Sequence, residues 1–294
     1  MKKRLLLTNA VLGIAAATHG QQKEPVLPNG YPYSAAFIST ISAGPGHTEL
    51  VVFPLRGSAF KIPIRSASGG FRYSPDGRSL YGACTPYPDP VRADEPIKVA
   101  LCKIDLKTGD ATPIPDFVPH HGDGIPSVGL ARLFGLTLPD GKPTEISLPA
   151  DAHPWMDLSL SPDNERAVAT HNSRVEVIDI VHGTAEPLGD ELFTAAWSPD
   201  GKWLAAVEKG EHGRTILMDA RNLKRRRILG PSELDWSPDS RYLLGMKQHD
   251  RCGPYYGTLQ AIDIESGERI TIKSSECRVN QATTGWVSSE ISER

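Results

Sequence analysis

The 294-residue chain has no excess of positive charge: 32 Lys and Arg stand against 35 Asp and Glu, for a net charge of −3. A nucleic-acid binder needs a basic surface to neutralise phosphates, so no nucleic acid is expected among its partners. Cysteine is scarce, four in all, and none falls in CxxC or CxxCH spacing. This removes the common thioredoxin-like, haem-attachment and zinc-ribbon signatures. The chain also lacks a GxSxG elbow, an HExxH pair and a P-loop, and Gly44-Pro45-Gly46 lacks the third glycine and following helix of a dinucleotide site. No catalytic residue is assignable, and no cofactor or metal is expected. No apolar run reaches the roughly 20 residues that a membrane-spanning helix needs.

What is abundant is turn chemistry. Gly 27 and Pro 25 exceed the average usage of about 7% and about 5%, which favours short strands over long helices. "RYSPDGRSLYG" from Arg72 and "AWSPDGKWLAA" from Ala196 repeat one pattern, with weaker copies in "SLSPDNERAVA" from Ser159 and "DWSPDSRYLLG" from Asp235. Pro presets φ for a turn, Asp bonds the backbone just downstream, and Gly accepts positive φ. Each copy therefore predicts a hairpin, with an aromatic or Leu ending the first strand and an apolar run forming the second. A weaker signal follows each copy: "KIDLKTGD", "VIDIVHGT", "LMDARNLK" and "AIDIESGE" carry an apolar strand into Asp105, Asp179, Asp219 or Asp263 and a second turn.

Four strands per unit at a period near 40 residues predict a β-propeller, whose sheets bury both faces only by stacking on one another. The 58-residue spacing from Asp105 to Asp163 is long enough for an unmarked unit, and a gapless slide of the repeat puts Gly122-Asp123-Gly124 on its turn. Units then begin near 29, 69, 116, 153, 191 and 231. The expectation is an all-β, six-bladed β-propeller of four-stranded antiparallel blades, with seven blades as the alternative. The segment from Val279 would add an inner strand to the first blade and close the ring.

The aromatic-Ser-Pro-Asp-Gly-basic motif, strong at Tyr73 to Arg78 and Trp197 to Lys202, resembles the WD-repeat-like propeller repeats of the family that includes the propeller domain of TolB. Ser240 and Asn164 replace the motif Gly in the other two copies. The resemblance implies a propeller and a tendency to bind proteins or peptides. TolB carries a further N-terminal α/β domain for which this chain has no room, so a full-length orthologue is not expected.

Met1-Lys2-Lys3-Arg4 followed by apolar, small-residue Leu5 to Ala17 resembles a secretory signal peptide. Residues 1–20 are read as that signal, with cleavage between about Ala15 and Gln22, and 21–294 as one propeller domain. An uncleaved anchor is the alternative. Export, to periplasm or exterior, permits disulfides. The four cysteines allow three pairings, of which hairpin topology favours Cys252 with Cys277 and permits Cys84 with Cys102.

The second-to-third-strand connection varies in length while the rest of the repeat does not, and insertions on one face often mark a binding face. That face would hold His171, Glu208, Glu211, His212, Gln248, His249, Asp250, Arg251, Tyr255 and Tyr256. The leading expectation is a non-catalytic module that binds a protein or peptide partner in the cell envelope. The alternatives are a small lyase or hydrolase acting on a glycan with histidines and acids of that face, and a purely structural ring. His120-His121 is read as part of a degenerate inner strand. Lys224 to Arg227 is read as solvated charge on an outer strand, where it deters edge pairing.

Overall fold

The computed structural model describes residues 27–40, 48–54, 58–64, 69–74, 76–84, 100–114, 157–163, 165–171, 174–210, 213–230, 235–248, 257–273 and 284–291. These form twenty strands, numbered in chain order, and one short 3-10 turn. Blade 1 comprises β1 (Tyr33–Thr40), β2 (Thr48–Phe53), β3 (Phe60–Ile64) and the last strand, β20 (Thr284–Ser288). Its order is β20-β1-β2-β3, with the last strand innermost. Blade 2 is β4 (Gly69–Tyr73), β5 (Ser79–Cys84), β6 (Ala100–Asp105) and β7 (Ala111–Pro113). Blade 3 is β8 (Asp157–Leu160), β9 (Arg166–His171), β10 (Arg174–Asp179) and β11 (Thr184–Gly189). Blade 4 is β12 (Leu192–Trp197), β13 (Trp203–Glu208), β14 (Thr215–Asp219) and β15 (Arg225–Gly230). Blade 5 is β16 (Asp235–Trp236), β17 (Tyr242–Gln248), β18 (Gly257–Asp263) and β19 (Arg269–Lys273).

The described residues thus build five four-stranded antiparallel blades, which corrects the expected six and its alternative of seven. The sixth unit was inferred from length, and length counts residues, not strands. At the position assigned to its turn, His121 stands where the four Ser-Pro-Asp copies have Ser, the hydroxyl on which those turns are built. Residues 115–156, including His120 and His121, lie outside the described residues.

The repeated motif is a hydrogen-bonded device centred on the serine. Ser74 Oγ donates to Asp76 Oδ1 at 2.5 Å and accepts from Ser79 N at 2.8 Å, while Arg78 N donates to Asp76 Oδ1. Ser198 and Ser237 do the same with Asp200 and Trp203 N, and with Asp239 and Tyr242 N. The weakest copy keeps the device through Ser161, Asp163 and Arg166 N. The turn needs a left-handed residue at its fourth position: Gly77 has φ +66° and Gly201 +69°, and Ser240 takes +61°. Ser240 gains something in return, since its Oγ accepts from Asp200 N of blade 4 at 2.9 Å.

The second turn is built on its aspartate. Asp105 Oδ1 accepts from Lys107 N and Thr108 N, and Asp263 Oδ1 from Glu265 N and Ser266 N. The N–H of Thr108, then that of Lys107, holds the Asp105 carboxyl below its usual range. For Asp263 burial pushes upward but is outweighed by the Ser266 N–H, the Arg241 guanidinium and the Glu265 N–H. Both aspartates are therefore ionised acceptors at neutral pH.

The core lies in the seams between blades, because strands buried on both faces send alternate residues to opposite neighbours. In β13, Leu204 and Ala206 pack toward blade 3 while Ala205 packs toward blade 5. In β17, Leu243 faces blade 4 and Leu244 faces blade 1. This explains why the second strands read as continuous apolar runs.

The motif aromatics close the seams in a repeated way. Trp236 Nε1 donates to Ala196 O, one residue before Trp197, and Trp286 Nε1 donates to Asp235 O, one residue before Trp236, both at 3.1 Å. Tyr73 lies against Gly285, one residue before Trp286, so closely that a Cβ there would be 2.0 Å from its Cδ2. Among the described residues, Tyr73 Oη and Trp197 Nε1 are buried without a hydrogen-bond partner. Burial first, and then the Asp235 charge, push the Tyr73 phenol well up, so it stays a proton donor lacking an acceptor. Tyr73→Phe removes this unsatisfied hydroxyl and is expected to raise stability by about 1 kcal/mol. Urea unfolding should show a higher midpoint at unchanged slope; a lower midpoint would mean that the hydroxyl is satisfied.

Candidate binding face

Each blade runs up and down, so its first and third turns emerge on one side and its second connection on the other, together with the links between blades. The first side is knitted by Ile180 N to Glu165 O, Ala220 N to Lys202 O and Ile264 N to Arg241 O, each joining the two turns of one blade. The opposite side, the link face, carries the connections that vary in length.

Of the residues assigned to that face, His171 ends β9, Glu208 ends β13 and Gln248 ends β17. These three strand ends fall at equivalent places in blades 3, 4 and 5. Glu211, His212, His249, Asp250, Arg251, Tyr255 and Tyr256 lie outside the described residues, as do residues 1–20, Cys252 and Cys277. Among the described residues no group of three or more His, Cys, Asp or Glu is arranged to hold a metal ion. No helix among them is long and apolar enough to cross a membrane.

Around Glu208 the geometry is well defined. Its side chain is only 12% exposed and its Oε2 accepts from Arg214 Nε at 2.6 Å. The next residue, Lys209, donates its N–H to Glu191 O at 2.7 Å, and its Nζ donates to Asp190 O. Asp190 in turn faces Arg174, with Nε to Oδ1 at 3.7 Å. Three separate pieces of chain meet here: the start of β10, the link from blade 3 to blade 4, and the β13–β14 connection. Arg174, Asp190, Glu191, Lys209 and Arg214 are partly or largely exposed, so the meeting point is a charged surface spanning two blades.

Phe193, two residues after Glu191, was not singled out by sequence. In β12, Leu192 pairs with Glu208 and Thr194 with Val207, leaving Phe193 as the extra residue of a bulge. Its side chain is 58% exposed, while Leu192 beside it is fully buried. Two adjacent apolar residues on an otherwise alternating strand were the available signal. The bulge that turns one outward arises only from pairing with β13.

Two other readings can be placed. Cys102 is buried and disulfide-bonded. It pairs with Gly82 across the β5–β6 ladder, and Cys84 pairs with Ala100, two positions along the same ladder. Arg225–Gly230 is the outermost strand of blade 4. Its Arg227 is exposed yet not simply solvated: Nη1 donates to Ile264 O at 3.1 Å and Glu265 O at 2.6 Å in blade 5. Arg269 of blade 5 reciprocates with a bond to Leu229 O. Arg227 and Arg269 therefore fasten blades 4 and 5 at their rim.

Five such sheets, stacked seam to seam in the order 3, 4, 5, 1, 2, with the last strand completing the first blade, define a β-propeller. No protein-family model matches the sequence, and no curated protein matches it either. Similar solved structures include a protein provisionally described as TolB from Agrobacterium tumefaciens, 13% identical over 82% of this chain and 88% of that one, with a TM-score of 0.35. A protein provisionally described as a 6-phosphogluconolactonase, from Bacteroides fragilis, is 14% identical over 89% and 99%, with a TM-score of 0.47. A chain of the COPII outer-coat vertex on membranes is 11% identical over 80% and 70%, with a TM-score of 0.46.

Proposed function

We propose that the chain is an exported β-propeller that binds a protein or peptide through its link face and performs no chemistry there. The observation that carries this reading is the junction of Arg174, Asp190, Lys209, Glu208 and Arg214, where two blades and three connections present one fixed, charged surface. Such pre-organisation lowers the ordering cost of binding. The basic, apolar N-terminal stretch supports export, and the bonded state of Cys102 suits an oxidising compartment. Cys84 is the proposed partner of Cys102, since the strand register sets it two positions along the same ladder. Closing that loop of about 18 residues contributes roughly 3 kcal/mol in the chain-entropy model.

Site-specific photo-crosslinking in the producing cell tests the reading. A benzoylphenylalanine at Arg174 should give a discrete protein adduct, and one at Lys202, on the opposite side, should give none. Equal adducts from both, or adducts from Lys202 alone, would assign binding to another surface. The exported chain should begin between about Ala15 and Gln22 by N-terminal sequencing.

A further inference from the structure

We infer that residues 27–32 form a strap that clasps the ring shut at blade 1, and that the ring opens there first, strap and β20 leaving together while blade 4 stays folded. In blades 2 to 5 a Ser-Pro-Asp turn carries the innermost strand into the second. Blade 1 has no such turn. Its innermost strand, β20, arrives from the other end of the chain and is held to β1 by a ladder running from Tyr33 with Ser288 to Phe37 with Thr284. The strap stands in the place of the missing turn. Gly30, at φ +78°, folds it back so that Tyr31 N donates to Pro28 O at 3.1 Å. The Tyr31 ring is thereby aimed inward, to 6% exposure, where it meets Tyr33, Tyr242 and Trp286 edge-on at 5.7, 5.2 and 5.8 Å. Its phenol donates to Asp239 Oδ1 at 2.8 Å.

Asp239 is the aspartate of blade 5's own turn, where it already accepts from Ser237 Oγ and Arg241 N. Turns on this side bond to the neighbouring blade: Asp200 N of blade 4 donates to Ser240 Oγ of blade 5, and Ser288 N of blade 1 donates to Gly77 O of blade 2. Tyr31 supplies the link between blades 5 and 1. Burial pushes its phenol well up, so it keeps the proton that it donates. Just after Tyr31, Pro32 O accepts from Ser289 N at 2.8 Å, which ties the strap to the residue following β20. Strap and β20 thus hold each other as well as blade 5, and a unit joined in this way opens below the free energy of global unfolding. Asp239 lies 208 residues along the chain from Tyr31, and Trp286 lies further still. The strap is therefore made before these partners and fastened only after them. A chain end stays ordered only where it is tied down, and here one hydrogen bond to a charged acceptor completes the tie.

Residue-resolved amide hydrogen exchange of the full chain tests this. In the unaltered protein the amides of β20 should exchange faster than those of β13 and β14. Tyr31→Phe keeps the ring contacts and removes the clasp, so it should speed exchange in β20 about tenfold and leave β13 and β14 unchanged. Tyr31→Ala, which also removes the ring, should speed β20 further, again without reaching blade 4. An equal rise in β13 and β14, or no rise in β20, on Tyr31→Phe overturns the inference. So does equal exchange of β20 and β13 in the unaltered protein. Tyr31→Phe leaves the aromatic cluster in place, so its result decides the matter if Tyr31→Ala does not fold.

Discussion

Trp286→Ala is expected to destabilise the protein by about 3–5 kcal/mol, the range for truncating a buried large aromatic. Trp286 is 2% exposed and belongs to the strand that completes blade 1. Its ring meets Tyr31 edge-on at 5.8 Å and Tyr242 at 6.2 Å, joining the segment before β1 to blade 5. Its loss also strands Asp235 O, which accepts from its Nε1. For a domain of this size each kcal/mol shifts the melting midpoint by about 2–4 °C, so a fall of roughly 10 °C is expected. Trp236 makes the equivalent bond to Ala196 O but is only half-buried, and its truncation should cost clearly less. Equal losses in differential scanning calorimetry would show that the closing seam is no more vulnerable than the others.

Gly109→Ala should cost about 2–5 kcal/mol, from two sources that the equivalent glycine of another blade separates. Gly109 has φ +77°, and a Cβ on it would lie 2.0 Å from Pro63 O of blade 1. The left-handed conformation alone costs an alanine about 1–2 kcal/mol, and collision with a backbone atom adds an overpacking term of about 1–3 kcal/mol. Gly183 occupies the same turn position in blade 3 with φ +65° and nothing within 4 Å. Gly183→Ala should therefore show the conformational cost only. Leu223 fills this position in blade 4 with φ +55°, packed against the core of the seam between blades 3 and 4, so a side chain is accepted where the neighbouring backbone leaves room for it. Equal destabilisation of the two alanine variants in urea unfolding would remove the role assigned to Pro63.

What the sequence made legible is what local chemistry determines. Ser-Pro-Asp-Gly writes its own hydrogen bonds within six residues, and so do Asp105 and Asp263 with the turns they begin. The strands between such turns follow, because Trp203 to Val207 or Tyr242 to Met246 can only run from one turn to the next. Blade number was not legible, since it depends on whether a stretch pairs with neighbours, and spacing is blind to pairing. Phe193 was missed for a similar reason: Leu192 and Phe193 look alike in the chain, and only the ladder with β13 buries one and exposes the other. The fastening role of Arg227 likewise depends on Ile264 and Glu265, carbonyls 37 and 38 residues away.

The seam contacts carry a historical consequence. Trp236 leans on Ala196, Trp286 on Asp235 and Tyr73 on Gly285, in each case the residue just ahead of the neighbouring blade's own aromatic. In these three seams the earlier blade offers the same socket and the later blade the same plug. A gene segment encoding one blade could be duplicated or excised without inventing a new kind of contact, provided the ring still closed. The weakest motif copy, with Leu160 in place of the aromatic, keeps the serine turn through Ser161 and Asp163 but offers no aromatic to its neighbour.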